Sequence, residues 1–204
     1  MIFEDWETIP YQEALDRQLA YVAEIIDGKR EETIVFCTHP PVVTLGRASE
    51  ESDVKGWKGE TVKVSRGGRA TFHGPKQLVA YPILDLSHRG KDLHKFLRSL
   101  ENIIIEACIQ LNPNLQLDGN RPDATGVWSG ERKLAAIGIA VKRWVSYHGL
   151  AINLEKDLAA FEGISPCGFK IGTMISLEEL GAVNFNRQDI IQQMKISFGN
   201  LQIK

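Results

Sequence analysis

Cys167 stands in the stretch Gly163-Ile164-Ser165-Pro166-Cys167-Gly168-Phe169. The flanking proline and glycine place its thiol in a turn, where chains display functional groups. Nothing around it recurs at helical or strand spacing, so it has no core face to fill. A cysteine attacks as its thiolate, and a free pKa of about 8.5 must fall before much thiolate exists at neutral pH. The cations and bases available for that are His73, His148, Lys133, Lys142 and Lys170. Lys133 differs from the rest because it opens an apolar run of small residues, Leu134-Ala135-Ala136-Ile137-Gly138-Ile139-Ala140. A lysine drawn out of water there would have its pKa lowered toward neutrality. The residue types alone also allow an inert thiol in a tight turn and, as the commoner case for such a lysine, snorkelling from a strand end. Cys108 falls on the apolar stripe of a helix and Cys37 in an apolar strand, and both read as packing.

A second chemical stretch runs from Ser65 to Pro75: Ser65-Arg66-Gly67-Gly68-Arg69-Ala70-Thr71-Phe72-His73-Gly74-Pro75. It follows Thr61 to Val64, which alternates like a half-buried strand. Glycines beyond a strand end let main chain approach a ligand, and Arg and His add donors. The segment reads as the wall of a binding site. His148-Gly149-Leu150-Ala151-Ile152-Asn153-Leu154 is a second glycine-containing strand whose small residues leave room for a slim ligand. His148 is either a hydrogen-bonded core residue or part of a site. No metal-ligand spacing links His73, His148 and Cys167. The Gly-rich segment is neither a P-loop nor a dinucleotide fingerprint. A papain-like arrangement is disfavoured because no histidine follows Cys167.

These groups need elements to hold them. Tyr11, Leu15, Leu19, Val22 and Ile26 recur at helical spacing, with Pro10 before them and Gly28 as a stop. Ile34 to Cys37, Val42 to Leu45, Thr61 to Val64 and Leu78 to Leu84 read as strands. Leu93, Phe96, Leu97, Leu100, Ile104, Ala107, Cys108 and Leu111 form the apolar stripe of a long helix. Asp92 caps it and Asn112-Pro113 ends it. Strands resume at Thr125 to Trp128, Leu134 to Trp144 and Val145 to Leu154, and Asn186 to Phe198 reads as a closing helix. The expected fold is α/β of the α+β type, a mixed, largely antiparallel sheet flanked by helices.

The chain has 204 residues, 43% hydrophobic, with a net charge of −2. That suits one domain over residues 1–204 and argues against nucleic-acid binding. Three cysteines are not a disulfide framework and suit a reducing compartment. The N-terminus does not read as a signal peptide, and the longest apolar run is far too short to span a bilayer. A cytoplasmic protein without membrane association is the expectation.

Together the motifs resemble the lipoyl(octanoyl) transferase family, the octanoyl-carrier-protein:protein octanoyltransferases, over Thr38 to Gly168. Thr38-His39-Pro40-Pro41-Val42-Val43-Thr44-Leu45-Gly46 looks like the family's first block. Arg66-Gly67-Gly68 through His73-Gly74-Pro75, with Gln77 and Tyr81-Pro82, looks like its signature. Lys133, Ala136-Ile137-Gly138, His148 to Asn153 and Pro166-Cys167-Gly168 follow in the family's order. The resemblance implies the fold of biotin and lipoate protein ligases. It implies Cys167 as the acyl-accepting nucleophile and Lys133 as the residue that lowers its pKa and moves protons. It also implies an acyl pocket walled by Arg66, Gly67, Gly68, Arg69, Ala70, Thr71, Phe72 and His73, by Ala136, Ile137 and Gly138, and by Gly149, Leu150 and Ala151. The implied donor is octanoyl-acyl carrier protein. The implied acceptor is a lipoyl-domain protein such as glycine cleavage H protein or a 2-oxoacid dehydrogenase E2, with no cofactor. An ATP-dependent lipoate or biotin ligase and a non-catalytic acyl-binding protein are the alternatives. One position departs from the family: Lys76 follows Gly74-Pro75 where a glycine is usual, which means either a turn that needs no left-handed residue or a strained one.

Overall fold

A computed structural model describes residues 1–121, 124–157, 164, 172–182 and 185–201. The elements run β1 (Ile2–Thr8), α1 (Tyr11–Ile26), β2 (Thr33–Thr38), β3 (Val42–Leu45), β4 (Glu60–Lys63), β5 (Ala70–His73), β6 (Gln77–Ile83), α2 (Leu93–Leu111), β7 (Gly126–Ser129), β8 (Arg132–Lys142), β9 (Val145–Asn153) and α3 (Arg187–Gly199). A six-stranded sheet has the order β1-β2-β6-β9-β8-β7 and a three-stranded one the order β4-β3-β5. Among the described strands of the large sheet, β1 and β2 pair in parallel and the other neighbours antiparallel. This is the mixed, largely antiparallel α/β architecture expected from the sequence.

Central strands read as unbroken apolar runs because both of their faces are covered. Ile34 and Phe36 of β2, Leu78 and Ala80 of β6, and Leu150 and Ile152 of β9 pack with Phe96, Leu100 and Ile104 of α2 and Met194 and Phe198 of α3. The alternate residues Val35, Cys37, Val79, Tyr81 and Ala151 pack with Ala14 and Val22 of α1. The strand period of two thus sends successive side chains to opposite helical layers. Among the described residues no helix is long and apolar enough to cross a membrane.

The helix ends follow local chemistry. An Asp92 carboxylate oxygen accepts the Lys95 N–H at 3.0 Å, capping α2. Asn186 and Asp189 form a reciprocal capping box at α3.

The structure departs from the sequence reading in three places. Ile2–Thr8, read only as not being a signal peptide, forms an edge strand. Glu4, Asp5 and Glu7 blur its alternation, as an edge with one partner permits. Ala70–His73, expected as binding-site wall and not among the expected strands, is a strand antiparallel to β3. The strand expected to continue to Trp144 ends at Lys142, and Arg143 and Trp144 make a two-residue hairpin turn at φ +50° and +68°. Such turns usually use Asn-Gly. Trp144 holds the position because its ring packs on the core beneath α2 and α3.

Candidate active site

A narrow cavity of about 50 Å³ lies on the α1 face of the large sheet. The Gly-rich loop contributes Arg66, Gly67 and Gly68, and β5 contributes Thr71 and His73. β8 supplies Ala136, Ile137 and Gly138, and β9 supplies His148, Gly149, Leu150 and Ala151. Tyr11 of α1 and Val79 and Tyr81 of β6 complete it. Arg69, Ala70 and Phe72 do not line it. The alternation of β5 explains this, because Thr71 and His73 face the cavity while Ala70 and Phe72 join Val43 and Ile164 in a separate apolar cluster. Arg69 points outward and grips the buried Asp53 carboxylate, with Nη2 2.6 Å from Oδ1.

Pairing of β8 with β9 sets the slot's shape. Ala136 stands opposite Ala151 and Gly138 opposite Gly149, so small residues face one another across two rungs. Gly138 also leaves room for Arg66, since a β-carbon there would lie 2.9 Å from Arg66 Cδ. Arg66 is 6% exposed, and its guanidinium clamps main chain. One terminal nitrogen donates to the Gly67 and Arg69 carbonyls, each at 2.9 Å. The other donates to the Thr44 carbonyl at 2.9 Å and the Thr44 hydroxyl at 2.7 Å. Gly67 N–H donates to the Ile139 carbonyl at 3.2 Å, tying the loop across to β8.

Three buried histidines stand at or behind the cavity wall. His39 Nδ1–H donates to the Ile9 carbonyl at 2.7 Å, leaving Nε2 to accept the Tyr81 hydroxyl at 2.6 Å. His148, at φ +56°, lies between the Tyr11 hydroxyl at 3.3 Å and the Ser65 hydroxyl at 3.2 Å. The His148 main-chain N–H donates to Gln18 Oε1 at 2.8 Å. Burial pulls His39 down to about 4, and burial with the Arg66 charge pulls His148 down to about 3. Burial, His39 and Arg66 hold His73 well below its ordinary value. All three are neutral at pH 7 and too weakly basic to take a proton from a thiol. His73 and His148 line the slot, and His39 packs edge-on against His73. His39, Tyr11 and Tyr81 were missing from the expected set. The Thr38-His39-Pro40 block was the available signal, whereas Tyr11 looked like any apolar position of α1.

Lys133 is 3% exposed, which removes the snorkelling reading. A register shift between β7 and β8 decides where it points. Val127 pairs with Ala135, but Trp128 pairs with Lys133, so β8 carries one extra residue, Leu134. Leu134 and Ala135 both enter the core beneath α2 and α3. Lys133 therefore turns to the opposite face, shared with Ala136 and the cavity. Without the extra residue it would point into apolar core. Its main chain is bridged to residues 173–175: Lys133 N–H donates to the Thr173 carbonyl at 2.7 Å and its carbonyl accepts Ile175 N–H at 3.0 Å.

Cys167 and its neighbours from Ser165 to Ile171 lie outside the described residues. Cys37 and Cys108 are buried free thiols. Burial pushes Cys108 up to about 12 and Cys37 higher still, so neither offers thiolate. Lys76 has no positive φ, so its turn needs no left-handed residue. Its amine donates to the Lys156 carbonyl at 2.8 Å beside a separate, more open groove of about 450 Å³.

Comparison with known proteins places this geometry. Residues 10–199 match the model of the lipoyl protein ligase A/B catalytic domain. The octanoyltransferase of Bdellovibrio bacteriovorus is 41% identical, covering 96% of this chain and 95% of the relative. That of Citrifermentans bemidjiense is 47% identical, covering 89% and 87%. A crystal structure of lipoate-protein ligase A bound with ATP superposes with a TM-score of 0.69 at 14% identity, covering 98% of this chain and 85% of that one. Apo biotin protein ligase from Aquifex aeolicus gives 0.57 at 12% identity, covering 98% and 67%. The two structures share the fold, and the closer sequence relatives carry the name of an acyltransferase. The chain belongs to the lipoyl protein ligase A/B catalytic domain family and, within it, to the octanoyltransferases.

Proposed function

We propose that this chain moves an octanoyl group from octanoyl-acyl carrier protein to a lysine of a lipoyl-domain protein, through a thioester on Cys167. The observation that carries the reading is a lysine buried on the same sheet face as a slot walled by small residues, with Ile164 and Met174, on either side of Cys167 in sequence, anchored to β5 and β8. Ile164 packs against Ala70 and Phe72 of β5, and Met174 pairs with Lys133.

Lys133 takes the proton of the Cys167 thiol, and the thiolate attacks the thioester carbonyl. The carbon–sulfur bond to the carrier breaks, and Lys133 returns the proton to the departing carrier thiolate. The acceptor's amine then attacks the acyl-enzyme, releasing Cys167, and its proton returns through Lys133. Withdrawal from water penalises an ammonium and suits a lysine to this exchange. Thioester exchange is nearly balanced and amide formation is downhill, so the chemistry itself calls for no ATP. The narrow slot between small residues suits the burial of a slim acyl chain. Each buried CH₂ contributes about 0.8 kcal/mol. The acceptor is a protein such as glycine cleavage H protein or a 2-oxoacid dehydrogenase E2, and the reducing cytoplasm is the setting that suits a free thiol.

Intact mass spectrometry after incubation with octanoyl-carrier protein tests the reading. One added octanoyl group is expected, absent in Cys167→Ser; an adduct persisting in that variant overturns the assignment. The shared fold with an ATP-bound ligase supplies the second reading. Transfer from free octanoate that requires ATP would establish it instead.

A further inference from the structure

Glu101 lies on the apolar stripe of α2, next to Leu100 and one turn before Ile104, yet it carries a carboxylate and is 1% exposed. A buried carboxylate must be fully hydrogen-bonded to be tolerated. Its Oε1 accepts the Gly126 N–H at 2.9 Å and its Oε2 accepts the Asn120 N–H at 2.8 Å. Arg98 Nη1 donates to both oxygens, at 2.8 and 2.7 Å. One side chain thus fixes the main chain at Asn120, where φ is +61°, and at the first residue of β7.

Gly126 is the main chain over which Lys133 crosses. A β-carbon on Gly126 would lie 2.5 Å from Lys133 Cε and 3.3 Å from Nζ. On the same face, Lys133 Nζ lies 5.2 Å from the Trp128 ring centroid. The Lys133 main chain is held by Thr173 and Ile175, and its arm runs over Gly126 and beside Trp128.

We infer that Glu101 is a positioning residue for Lys133: by holding the Gly126 N–H it fixes the surface along which the lysine arm lies, and so the place where the amine reaches the cavity face. This rests on the reading of Lys133 as the proton carrier. It explains a carboxylate in the apolar stripe. The Gly126 N–H and the Asn120 N–H need two acceptor oxygens beside one cation. A glutamine has one such oxygen and would aim its NH₂ group at a donor.

Glu101→Gln is the test, with Glu101→Asp, which keeps the charge but falls one methylene short, should the first not fold. Two quantities are read: the single-turnover rate of octanoyl-Cys167 formation, and the Lys133 ε-carbon signal in ¹³C-lysine-labelled protein, assigned by its loss in Lys133→Ala. The expected result is a rate lower by about 10²-fold, the effect of an ångström-scale misplacement, with a moved Lys133 signal and titration midpoint. Arg98→Lys keeps a cation beside the carboxylate and the bond to Gly126, and keeps the wild-type Lys133 signal. Adding Glu101→Gln to Lys133→Ala costs no further rate. A Glu101 variant that only melts earlier, with the Lys133 signal and the rate per folded molecule unchanged, overturns the inference. So do losses that multiply in the double variant. If wild-type protein forms no adduct at all, the transferase reading fails, while the Lys133 signal still decides whether Glu101 places that side chain.

Discussion

The Lys133 side chain occupies the space that a β-carbon on Gly126 would fill, 2.5 Å from its Cε. The two positions belong to adjacent strands, β7 and β8, and they meet on one face because β8 carries one extra residue at Leu134. A glycine is required on two counts, since φ at Gly126 is +140°, a region closed to other residues.

Gly126→Ala is therefore expected to displace Lys133 as well as strain the backbone. Stability should fall by about 2 kcal/mol, measured by urea unfolding. The acylation rate of the folded fraction should fall by about 10²-fold. A normal rate in folded protein would show that the arm of Lys133 can be rerouted without loss.

Ala136 and Ala151 are cross-strand neighbours on one wall of the slot. Ala151→Leu or Ala136→Leu should shorten the preferred acyl chain, with hexanoyl or butanoyl thioester overtaking octanoyl in competition. Two lost CH₂ contacts correspond to about 1.6 kcal/mol, or roughly fifteenfold in relative kcat/KM. An unchanged preference would place the acyl chain elsewhere.

Acid should unfold this protein early. His39 and His148 are depressed to about 4 and about 3, and His73 is held low, while unfolded histidine titrates near 6.5. Between those values the unfolded chain binds protons that the folded chain does not, so stability is complete above pH 6.5 and declines as pH falls. Each histidine contributes a slope of about 1.4 kcal/mol per pH unit in that window. Denaturation midpoints between pH 7.5 and 4.5 check this, and His148→Gln should flatten the curve by one histidine's share.

Arg66→Lys should behave as a severe change. One amine cannot replace two nitrogens that hold the Gly67, Arg69 and Thr44 carbonyls at once. A loss of about 3 kcal/mol is expected, with new proteolytic cleavage in the Gly-rich loop. Retained stability and protection would assign Arg66 a ligand-facing role instead.

The local rules written in the sequence settled the helices. Tyr11 to Ile26 ends before Gly28 at φ +69°, and the stripe from Leu93 to Leu111 is bounded by Asp92 and Asn112, because caps and 3.6-residue periodicity act over neighbouring residues. The slot's small residues were legible for the same reason: Ala136, Gly138, Gly149 and Ala151 stand out within their own strands. Tertiary structure alone decided which face each side chain takes. Thr71 and His73 face the slot while Arg69, Ala70 and Phe72 turn away, because Ala70–His73 pairs with β3 across intervening chain. Lys133 reaches the cavity face only because the pairing of β7 with β8 shifts register by one residue. Glu101 finds Gly126 from a helix on the other side of the sheet. A residue-by-residue pattern carries none of these facts, because a strand's register is fixed by its partner and one added residue reverses every face.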